Sequence, residues 1–134
     1  MWESEDELVQ AAIQWLKSEG FCTALDTSNN YLALGRAPDI SFLDKNGNLC
    51  LVEAKLKNQK QAFKQSYDHL LVADFCYVLF PKNINQEMFV EHNIGIIKGE
   101  KDNGFKILAE AKPSKWTFEH AKQDYIKRYW PECK

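Results

Sequence analysis

The sequence lacks any apolar run approaching the ~20 residues a membrane helix needs. Its opening, Met1-Trp2-Glu3-Ser4-Glu5-Asp6-Glu7, is acidic, without the basic start and apolar stretch of a secretory signal. These absences predict an intracellular, cytoplasmic chain with no membrane association. Paired cysteines are also missing. Cys22, Cys50, Cys76 and Cys133 lie far apart with no CxxC spacing, which argues against zinc and iron–sulfur sites and for free thiols in a reducing compartment. There is no solenoid or low-complexity repeat. Gly95, Gly99 and Gly104 fit no phosphate-cradling fingerprint, and no RNA-recognition motif is present. Nor is there an excess of positive charge: the net charge is −2. Phosphate contacts supply most non-specific affinity for nucleic acid, so any such surface must be a local basic strip.

What is present describes an ordinary globular chain. Its 134 residues, 45% hydrophobic and 27% charged, suit one domain spanning 1–134. A chain of this size buries ~65–70% of its unfolded surface, so it needs no disulfide or structural metal to fold. Ser4 is placed to cap a helix over 4–19, with Ser4 and Glu7 forming a capping box. Leu8, Val9, Ala12, Ile13, Trp15 and Leu16 make its apolar face, and Gly20 ends it. A strand is expected over 21–25, a turn at Ser28-Asn29-Asn30 and a short strand over 31–34, with Gly35 to Pro38 irregular. Two strands, 39–43 and 49–55, flank the turn residues Lys45-Asn46-Gly47-Asn48. A helix over 58–73 is expected to bury Phe63, Tyr67 and Leu70. There follow an almost wholly apolar strand (75–80), a short helix (85–91), strands at 94–98 and 105–109, and a helix over 117–130 stopped by Pro131. A helix joining two strands predicts a parallel pair beside the antiparallel hairpin, hence an α/β chain with a mixed sheet.

The hairpin carries the chemistry. Alternation puts Glu53 and Lys55 on one face of their strand. A two-residue Asn46-Gly47 loop would pair Lys45 with Asn48 and turn Asp39 away from Glu53. A three-residue Lys45-Asn46-Gly47 loop would pair Asp44 with Asn48 and set Asp39 directly across from Glu53. Carboxylates that close repel unless a proton or cation lies between them, and a hard divalent ion takes such oxygen ligands. Lys55 would then project beside the pair, where it can orient water or stabilise charge on a phosphoryl group. Acids and lysines at the end of a strand as apolar as Leu49-Cys50-Leu51-Val52 call for a reason. The same residues also suit a plain alternative, a solvated Glu-x-Lys on a strand face and a turn aspartate.

The run Arg36-Ala37-Pro38-Asp39-Ile40, the hairpin, and Val52-Glu53-Ala54-Lys55 resemble the PD-(D/E)XK, or restriction-endonuclease-like, superfamily. The order helix, three strands, helix, strand between Ser4 and Phe80 is similar to that family's core. The resemblance implies an αβ sandwich, a central mixed sheet flanked by helices, that hydrolyses DNA phosphodiesters with Mg²⁺ or Mn²⁺. Asp39 and Glu53 match the metal-binding acids, and Lys55 the catalytic lysine. Gln65 fits the glutamine that members often carry on the following helix, with Tyr67 as its aromatic neighbour. Members also use an acid on the first helix. Glu5, within the angular range of the apolar stripe, suits that place better than Glu7, which the capping box explains. Cutting two strands implies a homodimer.

Lys57, Gln61, Gln65 and His69 recur at helical spacing, with Lys60 and Lys64 beside them; Lys57, Lys60, Gln61 and Lys64 are the expected phosphate contacts. Glu110 and Lys112 repeat the Glu-x-Lys pattern without a Pro-Asp partner and read as surface charge. His69, His92 and His120 have no evident triad partners; His69 reads as a capping or surface residue. Trp116 and Trp130 are expected to pack on the core. The competing readings are a catalytically silent nuclease-fold binding or assembly module and, third, an RNA-cleaving or tRNA-processing enzyme.

Overall fold

The computed structural model of the chain describes residues 1–23, 31–32, 35–36 and 38–130. Ser4 caps α1 (Glu5–Ser18), its hydroxyl oxygen accepting from the Glu7 N–H at 3.1 Å. The reciprocal bond expected of a capping box shifts by one residue: the Glu7 carboxylate accepts from the Glu3 N–H at 2.7 Å. Gly20 follows with φ +90°, the left-handed geometry that ends a helix without a Cβ penalty.

The remaining elements are β1 (Cys22–Thr23), β2 (Tyr31–Leu32), β3 (Gly35–Arg36), β4 (Ile40–Leu43), β5 (Leu49–Ala54), α2 (Gln59–His69), β6 (Phe75–Phe80), α3 (Glu87–Val90), β7 (Gly95–Glu100), β8 (Gly104–Ala109) and α4 (Glu119–Tyr129). One six-stranded sheet runs in the order β1-β4-β5-β6-β7-β8. β5, β6 and β7 are mutually parallel and the outer pairings are antiparallel, giving the expected mixed sheet flanked by helices. Gly35–Arg36, expected to be irregular, instead pairs with Tyr31–Leu32 as a separate two-stranded ribbon. The turn expected at Ser28-Asn29-Asn30 lies outside the described residues, as do Ala24, Leu25, Ala33, Leu34, Ala37, Pro131 and Cys133. Among the described residues no helix is long and apolar enough to cross a membrane.

Alternation along the strands divides the core in two. Leu49, Leu51, Val78, Phe80 and Ile96 face Ala62, Phe89, Tyr125 and Trp130 on the side of α2, α3 and α4. Ile40, Phe42, Cys50, Val52 and Leu79 face the stripe Leu8, Val9, Ala12, Ile13 and Leu16 of α1. Every residue of β5 is buried, as a strand parallel-paired and covered on both faces must be. Cys50 and Cys76 are free and buried, and burial pushes both thiols far above their ordinary range, so neither is a nucleophile at neutral pH. Trp130 joins the core, but Trp116 precedes α4 and stands 60% exposed.

The β4–β5 loop resolves the two registers. The Asp44 N–H donates to the Asn48 carbonyl and the Gly47 N–H to the Asp44 carbonyl, each at 3.0 Å. One Asp44 carboxylate oxygen accepts from the Asn46 and Asn48 N–H groups, both at 2.9 Å, and Gly47 takes φ +81°. This is the three-residue loop with glycine in the left-handed position. Ile40 accordingly opposes Val52, and Leu43 opposes Leu49. Because the Asp44 carboxylate closes the loop, Asp44→Ala should lower stability by about 1–3 kcal/mol, read as a reduced urea midpoint; an unchanged midpoint would mean the turn is held by its backbone alone.

Candidate active site

The register that pairs Ile40 with Val52 carries Asp39, one residue before β4, to the position opposite Glu53, near the end of β5. Opposed residues of an antiparallel pair share a face, and Leu51 places that face on the α2 side. Pro38 is buried and Asp39 half-buried. One Asp39 carboxylate oxygen accepts from the Ala54 N–H at 2.8 Å, fixing the side chain against β5.

Burial raises the Asp39 pKa above its ordinary value; the Ala54 N–H, a hydrogen bond with the Glu53 carboxyl and the charge of Lys55 work against that rise, while the charge of Glu5 adds to it. A hydrogen bond between two carboxyl groups needs a proton on one of them. Two carboxyls set side by side in a buried place favour a proton or a cation between them. Glu5, Glu53 and Lys55 thus all act on Asp39 at one end of the sheet.

Lys55 continues the β5 ladder, its N–H donating to the Leu79 carbonyl at 3.1 Å, and is half-buried. It shares the face of Glu53 by alternation. Glu5 reaches the same end from α1, where its carboxylate accepts from the Leu56 N–H at 3.3 Å. Glu7 turns elsewhere, to Lys101 at 3.0 Å.

The α2 helix departs from expectation. It ends at His69 rather than near Ala73, and its buried residues are Ala62, Gln65, Ser66 and His69. Tyr67 is 45% exposed, and Phe63 is only partly buried, packed at the rim of the core. These two rings instead meet His92, at 5.0 Å from Phe63 and 5.7 Å from Tyr67. The polar face of α2 lies toward the sheet, and His69, expected at the surface or at a cap, is 1% exposed. Its Nδ1 stands 3.9 Å from Glu53 Oε1, too long for a hydrogen bond but close for a charge contact. Among the described residues, the buried hydroxyls of Ser66 and of Ser41, the latter on the same sheet face, have no hydrogen-bond partner.

The line Lys57, Gln61, Gln65, His69 is consequently split. Gln65 and His69 are buried, whereas Lys57, Lys60, Gln61 and Lys64 are exposed, and Lys57 precedes the helix. Ser41, Ser66 and His69 are the polar groups that sequence reasoning missed. For Ser66 and His69 the signal was present in Ala62, Gln65, Ser66 and His69 at i, i+3, i+4 and i+7, one face of a helix.

The residues able to hold a divalent cation are Asp39 and Glu53, with Glu5 nearby. Among the described residues, no group of three or more His, Cys, Asp or Glu side chains is arranged to hold a metal ion by itself. A carboxylate pair is nonetheless the donor set that suits Mg²⁺, which commonly takes one or two carboxylates and keeps waters or substrate oxygens for the rest.

No protein-family model and no curated protein matches the sequence. The fold is similar to a solved structure of a protein of unknown function from Silicibacter pomeroyi, at TM-score 0.70 and 15% identity over 96% of this chain and 84% of that one. That likeness concerns the fold alone.

The raised pKa of Asp39 has a thermodynamic consequence. The folded chain holds this proton more tightly than the unfolded one, so the contribution to stability is complete below ~3.9, the ordinary Asp value. It is lost as pH rises through the folded value. In chelator this contribution should fall across the carboxylate range, and Asp39→Asn should remove it, so that the variant gains stability relative to wild type as pH rises toward neutral. Urea midpoints of both proteins between about pH 4 and about pH 7 give the comparison; parallel curves would show that Asp39 is not strained.

Proposed function

We propose that this chain is a metal-dependent nuclease of the PD-(D/E)XK type, built on a restriction-endonuclease-like αβ sandwich, and that it hydrolyses phosphodiester bonds in DNA. The observation that carries the reading is the pairing of Asp39 with Glu53 across β4 and β5, with Lys55 two residues further along the same strand face. The order α1, β4–β5 hairpin, α2, β6, with α1 on one face of the sheet and α2 on the other, supports the sandwich.

Asp39 and Glu53 would hold Mg²⁺ or Mn²⁺, with Glu5 beside them. When bound, such an ion supplies an acidified water and neutralises charge on the phosphate. The chain's own residues perform the rest. The Ala54 N–H holds the Asp39 carboxylate in place. Lys55 sets a positive charge beside the carboxyl pair, where it orients the attacking water and stabilises the oxygens that gather negative charge at phosphorus. Gln65, buried on the sheet-facing side of α2, supports the acids from above. Lys57, Lys60, Gln61 and Lys64, all exposed, offer contacts to the sugar–phosphate backbone. With a net charge of −2, affinity for DNA then rests on this local set and falls with salt. Cutting both strands of a duplex calls for a homodimer, and the reaction would take place in the cytoplasm.

The test is cleavage of linear, branched and single-stranded DNA and of RNA by purified protein with Mg²⁺, Mn²⁺ or chelator. DNA should be cut only with metal. Lys55→Ala and Asp39→Ala, both folded, should lower the rate by about 10²–10³-fold or more. Equal rates in Lys55→Ala and wild type, or a folded protein that cuts nothing, would contradict the reading; the latter favours a silent binding module.

A further inference from the structure

The carboxyl ends of β5, β6 and β7 open on a cleft of about 430 Å³ whose walls include Trp2, Leu56, Lys57, Pro81, Lys82 and Lys101. Asp39, Glu53 and Lys55 are not in its wall, and the cleft is linked to them through Leu56 and Lys57. Leu56 in its wall donates its N–H to Glu5, the acid whose charge acts on Asp39, and Lys57 follows Lys55 by two residues. Trp2 is fixed there: its indole N–H donates to the Gly99 carbonyl at 2.8 Å, and its ring tilts against Phe105 at 6.1 Å. Gly99 permits this packing, because a Cβ at that position would collide with the Phe105 ring.

The charges around the cleft are unevenly matched. Glu100 in its wall is paired with Lys98 at 3.7 Å, and Lys101 with Glu7 at 3.0 Å. Among the described residues, Lys57 and Lys82 have no acidic partner. Two uncompensated ammonium groups therefore border a floor made of an indole, a leucine and a proline. Asp102, an acid whose charge acts on Lys101, and Asn103 complete the wall.

We propose that this cleft receives an unpaired nucleotide of the DNA strand being cut, so that the preferred substrate is single-stranded DNA or a duplex with an unpaired end. The inference rests on the nuclease reading above for the position of the scissile phosphate. The volume suits one nucleotide. The base packs on Leu56, Pro81 and the part of the Trp2 ring left between Phe105 and Lys101, whose ammonium lies over that ring at 5.9 Å from its centroid, the phosphates on either side meet Lys57 and Lys82, and Asn103 supplies a polar edge. A base in intact duplex would have to leave its stack and partner before entering, whereas an unpaired base does not.

The experiment measures binding in chelator, where no cleavage occurs, with a labelled short oligothymidine, the matching oligouridine and the matching DNA duplex. The DNA single strand should bind about tenfold tighter than duplex. Lys82→Glu should weaken its binding by about tenfold. Trp2→Leu, verified as folded by circular dichroism, should abolish the preference over duplex. Equal affinity for single strand and duplex, an unchanged affinity in Lys82→Glu, or a preference for oligouridine over oligothymidine would overturn the proposal, even if the same samples cut DNA on addition of Mn²⁺. If Mn²⁺ induces no cutting but single-strand binding depends on Trp2 and Lys82, the nuclease reading falls and the nucleotide site stands.

Discussion

The β4–β5 register is the constraint on which the candidate site depends. A side chain in a strand has two choices of face, and a slip of one residue exchanges them. The three-residue loop, closed by the Asp44 carboxylate and by Gly47 at φ +81°, sets Asp39 beside Glu53 rather than behind it. The same register turns Ile40 and Phe42 toward α1 and Leu43 toward α2. Correct packing of both cores and convergence of the two acids are therefore one event. A chain that folded in the other register would lose its hydrophobic contacts along with its site.

Convergence works against stability locally. Two carboxyls at adjoining positions of a buried strand pair repel or share a proton, and Glu53 is 4% exposed. The fold tolerates this because β5 is buried along its whole length and held in the sheet by β4 and β6. The effect extends to α2, which presents Gln65, Ser66 and His69 rather than its aromatic residues to the sheet. Apolar side chains there would leave the acids without polar company in a low-dielectric interior. Buried hydroxyls without partners at Ser41 and Ser66 belong to the same pattern: a region whose residues are not those that stability alone would select.

Much of this was legible in the sequence. The α1 stripe follows from helical spacing and a serine cap, and the almost wholly apolar run at 75–80 from burial on both faces of a parallel strand. The choice of Glu5 over Glu7 as the acid nearest the site also follows from angular position, and Glu5 does act on Asp39. Periodicity misled in part at α2. Phe63, Tyr67 and Leu70 have proper helical spacing, and Leu70 is buried as expected, but the two aromatic residues compete with a second face that is polar and equally regular. The polar face wins because the sheet beneath it carries carboxyls, a fact about tertiary partners that the helix's own sequence does not contain. The aromatic residues are accommodated at the flank, where Phe63 packs edge-on to Phe89 at 5.9 Å and meets His92. The loop length was ambiguous for another reason: Asn46-Gly47 suits both a two-residue and a three-residue turn, and the decision falls to Asp44, whose side chain bonds backbone groups beyond the turn's centre.

The central claim is that Asp39 and Glu53 form one cation-binding pair. Calorimetric titration of Mn²⁺ into the wild-type protein and into Asp39→Asn at neutral pH tests it most directly, because it requires no knowledge of the substrate. The account predicts a single saturable site in the wild type and loss of that site in the variant. A folded wild-type protein that takes up no Mn²⁺, or a variant that binds it as well as the wild type, would contradict it.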